Sequence, residues 1–333
     1  KKVTGVQRFN WEVLRCLSNI PDLEIILAVS KDTDTTNINY PNVTIARFGK
    51  KNNKYWQLIL LGRFAKKKKL PVLGMSNFSP LFKKDYVVLH DVTFLDKEGK
   101  NDKLWALKYK IFIGYHLHKH KTIFTVSEFS KQQILSHYKK IKEEQVVVVG
   151  SGGEQWSSVE AKKPDFISEN ESFFLAVGST TNNKNFPYVI KLSEHNPQIK
   201  FLVVGRKNSN FESLSDEKSN LYFTDYISNE ELAYLYRNCQ AFILPSFYEG
   251  FGLPPLEALF CGCKNLILSD IPVFREIYGE VANFFNPLDY ENTFDLSTLK
   301  PVSEENIKKV LQKYTWENAA KKIVQEMRQK YDS

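Results

Sequence analysis

The sequence predicts an α/β protein built from two facing, doubly wound parallel-sheet (Rossmann-like) domains. Three observations carry this expectation. The chain has 333 residues, roughly twice the length of an ordinary domain. Short apolar runs alternate with longer helical patterns through both halves, as in parallel strands joined by right-handed crossovers. Between the halves, Gly150-Ser151-Gly152-Gly153 and Lys162-Lys163-Pro164 read as a hinge-like linker. The expected domains are residues 1–160 and 161–333, the second closing with an amphipathic helical tail over Val302–Asp332. Ligands of such sheets bind beyond the carboxyl ends of the strands, and two facing domains put the ligand in the cleft between them.

The elements follow in order. In the first half, strands are expected at Leu23–Val29, Val43–Phe48, Leu70–Gly74, Tyr86–His90 and Thr122–Val126. Helical patterns cover Val6–Asn19, Tyr55–Lys68, Lys103–Lys119 and Ser127–Tyr138, with Ser127 placed as an N-cap just past a strand. In the second half, strands are expected at Phe173–Val177, Lys200–Val204, Leu221–Phe223, Ala241–Leu244 and Asn265–Leu268. The matching helices are Asn185–His195, Asn229–Asn238, Leu253–Phe260 and Pro272–Ile277. Gly5 arrives almost at once with no strand before it, so a first strand and the initiator Met are expected to be missing from this chain.

Bulk composition excludes several classes. At 42% hydrophobic and 25% charged residues, the chain is neither disordered, collagen-like nor a coiled coil. Four cysteines (Cys16, Cys239, Cys261 and Cys263) without a C-x-x-C pair are too few for a disulfide scaffold. They suit a reducing cytoplasm, and Cys261-Gly-Cys263 reads as two small buried thiols. No apolar run approaches the roughly 18 residues of a membrane span. The net charge of +8 admits nucleic acid, an anionic membrane face or a small anionic ligand.

The strongest local signal is Leu244-Pro245-Ser246-Phe247-Tyr248-Glu249-Gly250-Phe251-Gly252-Leu253-Pro254-Pro255-Leu256-Glu257. A strand ends at Leu244, a glycine-containing loop follows, and a helix begins near Leu253 with prolines in its first turn. Glu249 lies in the loop and Glu257 about one turn inside the helix, so both could face one ligand. The amides of Gly250, Phe251, Gly252 and Leu253, with the helix dipole, suit an anionic group. The plain alternative is a strand-turn-helix with two solvated glutamates.

This stretch resembles the E-x7-E signature of the retaining GT-B glycosyltransferases of the group 1 family, glycosyltransferase family 4. Four further stretches resemble that family in the same order: Thr4-Gly5-Val6-Gln7-Arg8-Phe9, His90-Asp91, Val126-Ser127-Glu128-Phe129-Ser130, and the loop from Gly178 to Asn185. The resemblance covers almost the whole chain. It implies a GT-B fold, a nucleotide-sugar donor and a saccharide acceptor. It assigns Glu249 to the donor sugar's hydroxyls, Glu257 to the nucleotide ribose, the Gly5 loop to the donor diphosphate, and His90 to the sugar–acceptor junction. Lys184 is the first cation for the phosphates. The family's second basic residue is replaced here by Asn183, so either Lys184 acts with less help or Arg206 supplies the charge; Arg206 could equally be a solvated loop cation. His90 could likewise be purely structural.

The implied reaction needs no metal and no cofactor, because fixed positive groups take the metal's place. Asp32-Thr33-Asp34 sits in a polar loop rather than at a strand edge, which disfavours metal binding. His116-Leu117-His118-Lys119-His120 puts His116 and His120 on one helix face without a third ligand and reads as a basic helix end. No G-x-x-x-x-G-K-[ST] or G-x-G-x-x-G occurs, so a P-loop NTPase or nicotinamide enzyme lacks support. Tyr55–Lys69 is basic and amphipathic, ending in Lys66-Lys67-Lys68-Lys69 with Trp56, Leu60 and Phe64 on its apolar side. It is either a solvated helix end or a contact with anionic lipid head groups. The expected activity is retaining hexosyl transfer to a saccharide acceptor, which a lipid-linked saccharide of bacterial surface polysaccharide assembly would satisfy. The expected location is the cytoplasm, with peripheral membrane contact. Two other classes compete: a non-catalytic nucleotide-sugar-binding module, disfavoured by the intact acidic and basic residues, and a nucleic-acid binder, disfavoured by the lack of any such module.

Overall fold

The computed structural model describes residues 4–36, 38–95, 103–179, 181–205 and 220–331. It is an α/β protein that divides into two compact units. Among the described residues, one comprises 4–95, 103–152 and 315–331, and the other comprises 153–314.

In the N-terminal unit, α1 (Gly5–Ser18) starts from a capping box in which Thr4 and Gln7 satisfy each other's backbone N–H groups. Its Phe9, Val13, Leu14 and Leu17 recur at helical spacing and are buried. Strands β1 (Ile25–Val29) and β2 (Val43–Arg47) form a separate parallel pair. A π-helical turn (Trp56–Leu60) leads into α2 (Leu61–Lys68), which ends at Lys69 in the left-handed region. Strands β3 (Leu73–Gly74), β4 (Tyr86–Val88), β5 (Thr122–Thr125) and β6 (Val146–Val148) form a parallel sheet in that order. Helix α3 (Lys103–Leu117) and helix α4 (Glu128–His137) provide the crossovers, and Ser127 caps α4 by accepting from Ser130 N–H.

The second unit is one six-stranded parallel sheet. Its strands are β7 (Phe173–Val177), β8 (Lys200–Val204), β9 (Leu221–Thr224), β10 (Ala241–Leu244), β11 (Leu266–Ser269) and β12 (Asn283–Phe285). The order β9-β8-β7-β10-β11-β12 is the doubly wound order, in which the connections run outward in both directions from the β7/β10 junction. Helices α5 (Phe186–His195), α6 (Asn229–Asn238), α7 (Leu253–Cys261) and α8 (Pro272–Tyr278) cover this sheet, followed by α9 (Glu304–Lys313). All four residues of β10 are buried, as a strand covered on both faces requires.

Two expectations are corrected at the domain level. The boundary falls at 152/153 rather than 160/161. The tail is two helices, α9 and α10 (Trp316–Tyr331), and α10 belongs to the N-terminal unit. Trp316 meets Phe9 of α1 edge to face with ring centroids 5.7 Å apart, and Tyr86 of β4 donates from its hydroxyl to Met327 O at 3.2 Å. An amphipathic period shows that a helix buries one face but not which partner buries it. Strands β6 and β12 were absent from the sequence reading; each has only three residues.

The sequence leaves Tyr55–Lys69 open between a solvated helix end and a lipid contact. Its apolar side is used internally: Phe48 stacks on Trp56 at 5.0 Å and on Phe64 at 4.6 Å. The Trp56 indole N–H also donates to Phe48 O at 2.7 Å. What remains outside is an exposed charged helix end, Lys66–Lys69.

Candidate active site

The doubly wound order places two loops side by side at the carboxyl ends of β7 and β10. The first runs from β7 through a 3₁₀ turn (Asn182–Lys184) into α5. The second runs from β10 into α7. Phe247 N–H donates to Asn183 O at 2.8 Å and ties the two together. At this junction Lys184 Nζ forms an ion pair with Glu249 Oε1, and both side chains are mostly buried. Ser246 Oγ donates to the same carboxylate oxygen at 2.7 Å. Ser246 is itself fully buried, its carbonyl accepting from Ser269 Oγ at 2.6 Å.

The turn after Lys184 is locked from behind. Asn185 adopts a left-handed φ of 52°. Its amide donates to Pro287 O at 3.0 Å and accepts from Tyr290 OH at 2.6 Å. Asparagine tolerates this conformation better than most residues, so the ammonium is presented from a rigid corner.

Helix α7 begins at Gly252, whose φ of 86° is left-handed. A Cβ there would lie 2.5 Å from Phe274 Cε1, so glycine is required on both grounds. Its carbonyl accepts from the Tyr278 hydroxyl at 2.6 Å. No side chain caps the helix N-terminus, which leaves first-turn amides facing the loop that holds Glu249. Gly250 is buried, and Leu253 is half-buried at the first helical position. Phe251 turns inward, its ring edge-on to Tyr314 at 5.3 Å, so what it can offer a ligand is its backbone. Glu257, one turn into α7, is buried and accepts from the Tyr236 hydroxyl at 3.2 Å.

His90 lies just beyond β4 in the N-terminal unit. Its backbone N–H donates to Asn77 Oδ1 at 3.1 Å, and its Nε2 lies 3.2 Å from Met75 O. A carbonyl can only accept, so Nε2 carries the proton and Nδ1 is left as an acceptor. Burial holds its pKa below the usual histidine value, so the ring is neutral at pH 7. Phe9 packs edge-on at 4.7 Å. Asp91 accepts from the N–H and hydroxyl of Thr93, at 2.9 and 2.6 Å, as a turn residue. Gly5 is the first residue of α1 and exposed. Arg206 lies outside the described residues.

The remaining candidates are accounted for by local structure. Asp32 accepts from Ser30 Oγ and from Asn52 N–H, while Asp34 accepts from the N–H and hydroxyl of Thr36. Among the described residues no group of three His, Cys, Asp or Glu could hold a metal ion. Cys261 and Cys263 are buried free thiols. The histidine tract is not a solvated basic end. His116 Nε2 accepts from Ser79 N–H at 3.1 Å, and Ser79 Oγ is hydrogen-bonded to His120 Nε2. Both rings are buried, and burial holds their pKa values down at about 4 and about 3. Ser246, Tyr236, Asn77 and Met75 escaped the sequence reading; nothing in their spacing marks them as partners of Glu249, Glu257 or His90.

The fold is that of the GT-B glycosyltransferases. Sucrose-phosphate synthase from Thermosynechococcus elongatus superposes with a TM-score of 0.75 at 16% identity over 99% of this chain and 94% of that one. The Anabaena protein HepE, solved with UDP and glucose, gives 0.66 at 13% identity over 98% and 96%. Residues 157–286 match the family described as glycosyl transferases group 1. Among curated proteins, the O-antigen chain mannosyltransferase RfbU of Salmonella typhimurium is 27% identical over 314 residues, 87% of this chain and 85% of that one.

Proposed function

We propose that the protein transfers a hexosyl group, mannosyl in the first instance, from a nucleotide-sugar donor to a lipid-linked saccharide in bacterial surface polysaccharide assembly. Transfer retains anomeric configuration and needs no metal. The observation that supports this reading most is the Lys184–Glu249 ion pair at the carboxyl ends of the two strands flanking the sheet's switch point, beside an uncapped helix N-terminus. Mannose is favoured by the name of the O-antigen relative. Among the described residues no helix is long and apolar enough to cross a membrane. The working location is the cytoplasmic side of the membrane, held peripherally.

The chemistry follows from the charges. Breaking the sugar C1–O bond builds positive charge at C1 and negative charge on the leaving diphosphate. Glu249 neutralises Lys184 in their ion pair. A diphosphate competes for the ammonium and releases the carboxylate to accept from sugar hydroxyls. Lys184 and the first-turn amides of α7 then stabilise the leaving group, as preorganised donors do. Glu257, aligned by Tyr236, accepts from the ribose. His90 Nδ1 offers a neutral acceptor to a donor or acceptor hydroxyl. No side chain is assigned as nucleophile; the acceptor attacks from the leaving-group face, and the departing phosphate takes its proton.

A thermal-shift screen with GDP-, UDP- and dTDP-sugars, followed by transfer assays with and without EDTA, tests the reading. GDP-mannose at about one hundred times its Kd should stabilise the fold by about 2.7 kcal/mol, and transfer should survive EDTA. Absence of any shift with every nucleotide sugar would overturn the donor assignment, and full loss with EDTA would overturn metal independence.

A further inference from the structure

Helix α3 is apolar on both of its faces. Ile113 and Leu117 point inward and are fully buried. Leu104, Leu107, Ile111 and Tyr115 are exposed by 61, 53, 64 and 67%. At 3.6 residues per turn these four fall within an arc of about 80°, so they form one continuous stripe rather than scattered residues. An exposed stripe of this kind marks an interaction surface.

The charge around the stripe selects the partner. The segment from Lys103 to Lys121 contains five lysines and no acidic residue. Lys108 flanks the stripe and is exposed, as are Lys119 and Lys121 beyond the helix end. Lys84 reaches over the Tyr115 ring, with Nζ 5.1 Å from its centroid. Lys108 also lines a neighbouring cavity of about 250 Å³ with Lys54, Leu58, Phe78 and Phe112, a lining that mixes ammonium groups with apolar surface. Exposed apolar residues, lysines beside them and a tyrosine at the edge match the boundary of an anionic bilayer, where apolar groups enter the acyl region and ammonium groups meet phosphates. An acid-rich protein partner would satisfy the lysines but not a stripe of large, exposed apolar side chains.

We propose that the outer face of α3 seats the N-terminal unit on an anionic phospholipid surface. The proposal rests on the lipid-linked acceptor reading for its biological role, and it moves the membrane contact away from Lys66–Lys69, where the apolar side chains fold inward onto Phe48.

The test is co-sedimentation with vesicles of phosphatidylcholine alone or mixed with phosphatidylglycerol, in the absence of donor and acceptor. The protein should bind the mixed vesicles, and Leu107→Ser/Ile111→Ser should weaken that binding by roughly tenfold or more. Lys108→Glu should weaken it less and make its loss with salt shallower, because one ammonium–phosphate contact is gone. Because the substituted side chains are exposed, circular dichroism and the donor thermal shift should be unchanged in the double variant. No preference for phosphatidylglycerol, or full binding by the double variant, would overturn the proposal. So would loss of binding in a Lys66–Lys69→Gln variant with α3 intact, or a dimer that becomes monomeric in Leu107→Ser/Ile111→Ser while vesicle binding persists. The donor shift reads independently, so failure of the sugar-transfer reading would show as its absence with vesicle binding retained.

Discussion

Lys184 and Glu249 are separated by 65 residues in sequence and joined by an ion pair in space. The pair exists because β7 and β10 are neighbours in the sheet, so the loops leaving their carboxyl ends meet. Each residue holds the other ready: the carboxylate keeps a mostly buried ammonium from being left unpaired, and Ser246 fixes the carboxylate's direction.

Glu249→Gln should abolish transfer, lowering kcat by about 10² to 10³-fold, while the amide oxygen keeps its bond to Ser246. The melting temperature should stay within a few degrees of wild type. Near-normal turnover in this variant would remove Glu249 from the site.

Lys184→Ala should lower kcat by a comparable factor of about 10², because the charge it supplies is needed most as the diphosphate leaves. Lys184→Arg should restore little, since a planar fork cannot replace a compact ammonium in the same corner. Steady-state kinetics with varied donor concentration would separate this from a simple loss of affinity, which would raise KM and leave kcat intact.

Tyr236→Phe removes the hydroxyl that donates to Glu257 Oε2. Donor KM should rise several-fold with kcat nearly unchanged, and stability should fall by about 1 kcal/mol. A change in kcat with unchanged KM would mean that Glu257 acts on the reacting centre rather than on the ribose.

Gly252→Ala places a Cβ against the Phe274 ring in a left-handed backbone. It should cost more than about 1 kcal/mol and lower the melting temperature by several degrees. It should also weaken donor binding through displacement of the α7 N-terminus. An unchanged melting temperature would show that the ring can move aside.

His116 and His120 give the fold a defined acid sensitivity. Burial lowers both pKa values, to about 4 and about 3. In the unfolded chain they protonate near the ordinary histidine value of about 6.5. Below that pH the unfolded state binds more protons than the folded state, so stability is full above it and falls as pH drops toward 4 and 3. Each histidine contributes a slope of at most about 1.4 kcal/mol per pH unit. Urea unfolding of His116→Asn/His120→Gln between pH 6.5 and 4.5 should show a shallower dependence than wild type; equal slopes would contradict the assignment.

Most elements were legible in the sequence because each carries its own local signal. The spacing of Phe9, Val13, Leu14 and Leu17 marks α1, and the prolines after Gly252 mark the start of α7. The strand-loop-helix around Glu249 and the turn at Lys184 are visible in the same way. What escaped were relationships. The apolar side of Tyr55–Lys69 was open between a solvated helix end and a lipid contact; Trp56 and Phe64 stack on Phe48, because an apolar helix face fits a strand as well as a bilayer. His116 lies in the last turn of α3 and His120 just past its end, where Ser79, far away in sequence, makes them a buried neutral pair rather than a basic end.

The sequence by itself therefore determined the class of fold, the identity of its helices and longer strands, and the loops that carry Lys184, Glu249 and Glu257. Those features depend on backbone propensity and on periods of 2 and 3.6, which act over a few residues. The tertiary structure alone decided the strand order that brings β7 beside β10, the return of α10 to α1 across Phe9 and Trp316, and the outward apolar stripe of α3. These depend on which of several similar apolar faces pack together, a choice made by shape and burial over the whole chain.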